Sequence, residues 1–144
     1  MPAPLIDRPA LRIMRRFPQL FGPKHEDRAT RAWGFECGPG WLGIIEALCE
    51  DLAQSVQEDG LAGFHILRVK EKHGSLRMHV AGGNDRAWDR IDIAEDISAI
   101  TCEACGASPH PIRSHKGWLS TCCDPCLREL RRKRTNASLI VAGP

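Results

Sequence analysis

The stretch that most constrains this chain is Thr101–Arg134. Cys102 and Cys105 are separated by two residues, seventeen residues follow, and Cys123 and Cys126 repeat the pair. The pattern C-x2-C-x17-C-x2-C lies in the spacing window of a four-thiolate zinc site. Two thiols two residues apart reach one tetrahedral ion from a tight turn, and a second pair completes the shell, which marks a structural site. Gly106 directly after the first pair suits that turn, because a residue without Cβ takes positive φ at little cost. The expectation is one structural Zn2+ held by Cys102, Cys105, Cys123 and Cys126. Cys122 adjoins Cys123, but only Cys123 stands two residues from Cys126. His110 and His115 are substitute ligands that four cysteines make unnecessary.

Residues after the second pair select the kind of module. Pro125 suits a first helical turn, where its missing N–H costs little, and Asp124 can cap that turn. Leu127 and Leu130 lie three apart, and Glu129 precedes Lys133 by four, the favourable order for an ion pair on a helix. A knuckle, an irregular segment with a short hairpin near Lys116-Gly117, and a helix carrying the last two ligands describe a treble-clef-like module. A zinc ribbon, with a strand after the second pair, is the alternative.

The remaining chain supports an α+β core. From Trp41, apolar residues recur at Ile45, Leu48, Leu52 and Val56, the spacing of a helix. Cys37-Gly-Pro-Gly-Trp41 forms its turn-rich entry, and Gly60 and Gly63 end it. Cys49 falls near the apolar face and reads as a buried, inert thiol. Phe64–Lys70 and Leu76–Val80 read as paired strands, with Glu71–Ser75 as the connection. His65, His73 and His79 are expected on strand faces or in the turn, without a catalytic role. Gly82-Gly83-Asn84-Asp85 offers a turn and a helix N-cap. Trp88, Ile91, Ala94, Ile97 and Ile100 then mark the expected buried stripe of a second helix. Two helices on a small antiparallel hairpin make an α+β layer. A short helix over Pro9–Phe17 is expected within an N-terminal extension, and Gly22–Thr30 is expected as a loop. The expected organisation is 1–35 N-terminal extension, 36–100 core, 101–134 zinc module and 135–144 flexible tail.

Several blocks together carry a resemblance. They are Cys37-Gly-Pro-Gly-Trp41 with Ile45-Glu-Ala-Leu-Cys49, Val69-Lys-Glu-Lys-His-Gly-Ser-Leu-Arg77, Ala94-Glu-Asp-Ile-Ser98, and Thr101-Cys-Glu-Ala-Cys-Gly106 with Trp118-Leu-Ser-Thr-Cys-Cys-Asp-Pro-Cys126. Over roughly residues 36–127 the chain resembles a family of small zinc-binding proteins of phages, prophages and bacterial genomes whose activity is unassigned. The resemblance implies a zinc-binding end and a mobile-element origin, and the only functional residues it carries over are Cys102, Cys105, Cys123 and Cys126.

Charge and composition narrow the function. The net charge of +2 is unevenly spread: residues 101–144 hold seven Lys/Arg against three Asp/Glu, a net +4, and the remainder is net −2. Arg113, Lys116, Arg128, Arg131, Arg132, Lys133 and Arg134 form a basic set on the zinc module, suited to contacting the phosphates of a nucleic acid. Seven cysteines, an odd number arranged around two C-x-x-C pairs, favour metal over disulfides and hence a reducing compartment. The N-terminal residues lack the apolar run of a secretory signal, and no apolar run reaches membrane-spanning length, so a cytoplasmic protein is expected. There is no H-x-E before the thiols, no H-E-x-x-H, no phosphate-cradling glycine loop and no G-x-S-x-G, so no enzyme activity, catalytic residue or small-molecule substrate is expected. The expected function is that of a non-enzymatic accessory or regulatory protein binding nucleic acid. The alternative is a protein–protein interaction module that inhibits or redirects a host complex, such as a defence system.

Overall fold

The computed structural model describes residues 7–21, 34–109, 113–115 and 117–141. Its helices are α1 (Asp7–Arg16), α2 (Pro18–Phe21), α3 (Leu42–Asp59), α4 (Asp85–Ser98) and α5 (Asp124–Val141); a 3-10 turn, Pro39–Trp41, leads into α3. Strands β1 (His65–Lys72) and β2 (Ser75–Ala81) form one antiparallel hairpin, and the short strands β3 (Arg113–His115) and β4 (Trp118–Ser120) form another. The architecture is α+β. The expected loop Gly22–Thr30 lies outside the described residues.

Helix α3 follows the expected pattern. Ile45, Leu48, Cys49 and Leu52 are buried, and Gly60 closes the helix in the left-handed conformation (φ 64°) with its N–H on the Val56 carbonyl. That is the ordinary glycine stop of a helix.

The hairpin departs from its expected bounds in two ways. Its connection is only His73-Gly74, both at positive φ (54° and 86°), with Lys72 paired to Ser75. Two positive-φ residues give the turn whose twist matches that of the strands; a non-glycine at the first position hid it from a glycine-based prediction. The pairing also slips between Ile66 and Arg68, leaving Leu67 as an extra residue. Ile66 and Val69 are both buried although three apart. Side chains alternate along a strand, so without this bulge one of the two would face water.

Outside the hairpin, Glu36 makes a parallel bridge to β1, with its N–H on the Val69 carbonyl and its carbonyl accepting from Glu71 N–H. On the other edge, Leu76 N–H donates to Ser98 Oγ at 2.7 Å and Met78 N–H to the Glu95 carboxylate at 3.3 Å. Helix α4 thus satisfies the edge that β2 would otherwise present to solvent.

Helix α4 starts as expected: Asn84 caps it, its side-chain oxygen accepting from Ala87 N–H at 3.0 Å. Its buried face is Ala87, Ile91, Ala94 and Ser98. Of the expected stripe, Ile91 and Ala94 lie on this face, but Trp88, Ile97 and Ile100 do not. Those residues, with Ile93, are 43–52% exposed. The helix carries two apolar stripes, and only one meets the core.

The N-terminal helices belong to that core. Ile13, Met14, Phe17, Leu20 and Phe21 are buried together with Trp41, Leu52, Ile66 and Ile91. Arg12 and Arg16 reach Glu46 on α3 at 3.1 and 2.8 Å, outside the apolar contact. Helix α2 lies on β1, and α3 packs against α2 and α4. At the other end, α5 continues to Val141, past residue 134 where the module was expected to give way to a tail.

Candidate metal centre and its docking on the core

Cys102 and Cys105 are held by a tight knuckle. Cys102 N–H donates to the Ala107 carbonyl and Gly106 N–H to the Cys102 carbonyl, both at 2.8 Å. Gly106 sits at φ 82°, where its lack of Cβ is required. The second pair comes from the end of β4 and the start of α5: Cys123 precedes the helix and Cys126 lies in its first turn. A helix, not a strand, follows the second pair. Knuckle and hairpin are joined by Glu103 N–H on the Thr121 carbonyl at 2.8 Å.

The structure brings Cys102, Cys105, Cys123 and Cys126 together, with their sulfurs all within 4.8 Å of one another. Cys105 and Cys123 sulfurs are 3.7 Å apart. Four thiolates at about 2.3 Å from a tetrahedral ion stand about 3.8 Å apart, so the cluster has the dimensions of a single metal site. Cys122, though buried beside it, is outside this group.

The electrostatics favour a cation. Burial works against a charged Cys102, but main-chain N–H groups of Cys123, Cys105 and Ala104 outweigh it and bring the thiol down to about 6. For Cys105 the Ala107 N–H favours the thiolate, yet the neighbouring Cys102 and Cys123 sulfurs prevail and the thiol is raised. Cys126 is raised by Cys123 first and by burial second. One thiolate is stabilised and its neighbours resist joining it, the conflict that a divalent ion resolves. The other cysteines are different: burial pushes Cys37 and Cys49 up to about 12 and Cys122 to about 11. Burial disfavours their thiolate forms, the reactive ones.

The surroundings explain the motifs that precede the cluster. Gly40 N–H donates to the Glu103 carbonyl at 2.7 Å, and Gly38 N–H to the Glu103 carboxylate at 2.8 Å. A Cβ on Gly40 would stand 2.2 Å from the Cys102 carbonyl oxygen, and one on Gly38 2.5 Å from that of Glu103. Trp41 Nε1–H donates to the Thr101 carbonyl at 2.9 Å. Thr121 Oγ–H donates to the Gly74 carbonyl in the β1–β2 turn. Sequence reasoning took Gly38 and Gly40 only as turn residues. Their second role is to let the knuckle backbone approach the start of α3. Burial and desolvation raise the Glu103 carboxyl, against the pull of Gly38 N–H.

Of the basic set, Arg128, Arg131, Arg132 and Lys133 are exposed on α5. Arg132 pairs with Glu129 at 2.6 Å. Arg113 lies on β3 and Arg134 on α5, their side chains outside what is described; Lys116, His110 and the side chain of His115 also fall outside. Among the described residues, the group whose geometry could hold a metal ion is the four cysteines, and His65, His73 and His79 are not members of it. Among the described residues, no helix is long and apolar enough to cross a membrane. No protein-family model, curated protein or solved structure matches the chain.

Proposed function

We propose that the chain is a non-enzymatic accessory or regulatory protein, stapled by one structural Zn2+, that binds nucleic acid through the basic face of α5. The observation that carries this reading is the junction of metal site and basic helix. Cys126 lies in the first turn of α5, and Arg128, Arg131, Arg132 and Lys133 follow it, exposed, on the same helix. A metal ion fixed at that turn would hold the cations in a set orientation, which reduces the entropy lost on contacting phosphates. The Arg132–Glu129 pair is exposed to solvent, and a phosphate can replace it.

Four soft thiolates suit Zn2+ and complete its tetrahedral shell, leaving no position for a reacting water. The knuckle, short hairpin and helix support a treble-clef-like module over a ribbon. Thiolate ligands need a reducing compartment, which supports a cytoplasmic protein, and the motif resemblance supports a phage or prophage origin.

Fluorescence anisotropy with labelled duplex and single-stranded DNA and RNA tests the reading on zinc-loaded protein. Micromolar affinity at low salt is expected, with a log–log salt slope of about −3 for duplex DNA if three or four phosphates are contacted. Replacing Arg128, Arg131, Arg132 and Lys133 by alanine should abolish it. Affinity no tighter than millimolar at low salt ends this reading.

A second reading, a module that binds and redirects a host protein complex, is favoured by the exposed isoleucines of α4. Ile93 and Ile97 on the helix, and Ile100 just past its end, are 46–52% exposed, where a solvent-facing surface would be polar.

A further inference from the structure

The stripe of α4 left outside the core borders a groove. Between α3 and α4 runs a cleft of about 290 Å³, with Ile93 and Ile97 on the α4 side and Gly43 and Ala47 on the α3 side. Ile93 and Ile97 are 52% and 46% exposed. Gly43 and Ala47 are exposed too, and a Cβ placed on Gly43 would meet nothing within 4 Å. One wall is therefore high and apolar, and the other is low. The charged lining is one residue of each sign, Asp51 on α3 and Arg90 on α4. Among the described residues neither is in an ion pair.

The two walls run antiparallel. Arg86, early in α4, pairs with Glu58 and Asp59 at the end of α3, and Trp41, just before α3, bonds Thr101, just past α4. A helix rises about 1.5 Å per residue. Counting inward from those two ties sets Ile97 roughly level with Ala47, and Arg90 within about one turn of Asp51. A two-fold axis along the groove would therefore lay each α3 on the α4 of a second copy at matching heights. High wall then meets low wall: Ile93 and Ile97 of each copy cover Ala47 and Gly43 of the other. The same operation brings each Asp51 to the Arg90 of the opposite copy, twice over. Self-complementarity of this kind is what an isologous contact requires. A partner charged in one sense would lose at one wall what it gained at the other.

We propose that the groove between α3 and α4 is the contact between two copies of this chain, related by a two-fold axis parallel to the groove. The apolar contact is short, and interfaces burying less than about 1,200 Å² in total are typically weak, so the dimer should dissociate in the micromolar range. It uses no residue of α5 and stands or falls separately from nucleic-acid binding. It gives Ile93 and Ile97 to a second copy, where the second reading above leaves them to a host protein.

Sedimentation velocity of the full zinc-loaded chain over roughly 1–100 µM tests this, and the weight-average mass should rise toward twice that of one chain. Gly43→Phe raises the low wall without altering any charge, and should weaken dimerisation by at least roughly tenfold. Asp51→Arg alone, or Arg90→Asp alone, brings like charges together across the axis, and each should stay monomeric over the same range. Mixed in equal amounts, these two variants should associate with one another, because both charged contacts of the mixed dimer then join an arginine to an aspartate. Pairing of the two residues within one chain cannot give that result. All three positions are exposed, and thermal melts confirm that each variant folds. A wild-type monomer throughout, a dimer that Gly43→Phe leaves intact, single swaps that dimerise like wild type, or swaps that stay apart when mixed would each overturn the proposal.

Discussion

The indole N–H of Trp41 and the main-chain oxygen of Thr101 are hydrogen-bonded at 2.9 Å inside a fully buried contact. Sixty positions of sequence separate them. Beside this bond, Gly40 lies so close to the knuckle that a methyl group there would meet the Cys102 carbonyl, the Glu103 carbonyl and Gly106 N–H. All three are backbone atoms and cannot swing aside. Gly40→Ala should therefore displace the knuckle from the core, at a cost of about 3 kcal/mol, the upper range for overpacking. Chemical denaturation would read the loss, and zinc titration should show weaker binding, because the sulfurs of Cys102 and Cys105 move with the knuckle. Unchanged stability would mean that the two parts are not joined through this contact.

Replacing any one of Cys102, Cys105, Cys123 or Cys126 by serine should remove stoichiometric metal, as measured by elemental analysis of purified protein. Cys122→Ser should retain it, since that sulfur lies outside the cluster. A closed thiolate site contributes on the order of 10 kcal/mol of apparent folding free energy at neutral pH. A strong chelator should thus produce a large fall in melting temperature for wild type and Cys122→Ser alike. Metal retained by Cys123→Ser and lost by Cys122→Ser would exchange the two assignments.

Ser98 links α4 to the open edge of β2. Its Oγ accepts from Leu76 N–H at 2.7 Å and donates to the Glu95 carbonyl at 2.6 Å. Ser98→Ala leaves a buried strand N–H without an acceptor, which costs about 1–3 kcal/mol. Urea denaturation should show a lower midpoint with unchanged slope. Amide exchange at Leu76 should accelerate more than at Val69, which lies on the inner strand.

What could be read from the chain and what could not divides by distance. The metal cluster was legible because two C-x-x-C pairs encode their own geometry locally. Helix α3 was legible because Ile45, Leu48 and Leu52 follow one period and Gly60 stops it. The bulge at Leu67 left a trace, Ile66 and Val69 both apolar at odd spacing, but odd spacing has other causes. On α4 the period was right and the face partly right: Ile91 and Ala94 are buried, Trp88, Ile97 and Ile100 are not. Ile93, Ile97 and Ile100 are as apolar as the buried Ile91, and periodicity cannot say which of two stripes meets the core. The role of Gly38 and Gly40 as a seat for the knuckle depends on a contact made across more than sixty residues, which no local pattern carries. Burial of α1 was equally hidden, because Ile13 and Phe17 find their partners on helices far along the chain.

Helix α1 is held at its outer edge by charge. Arg12 and Arg16 both reach the Glu46 carboxylate, and Arg16 also reaches Glu50 at 2.6 Å. Hydrogen bonds from Arg12 and then Arg16 hold the Glu46 carboxyl below its ordinary value of 4.5. A carboxyl whose folded value is depressed contributes stability above its unfolded value and loses it as pH falls through the folded one. Wild type should therefore protect the amides of α1 better than Glu46→Gln does at pH 7, and the two should converge as pH falls below 4.5. Arg12 and Arg16 are exposed and Glu46 is partly so, and solvent screening should keep the difference small. At 1 M salt, where charges are screened beyond about 3 Å, most of it should vanish. The buried Ile13, Phe17 and Leu20 should keep α1 in place throughout. Hydrogen exchange across α1 in both proteins, at two pH values and two salt concentrations, measures this directly. A difference that persists at acid pH would assign the role of Glu46 to packing against α1.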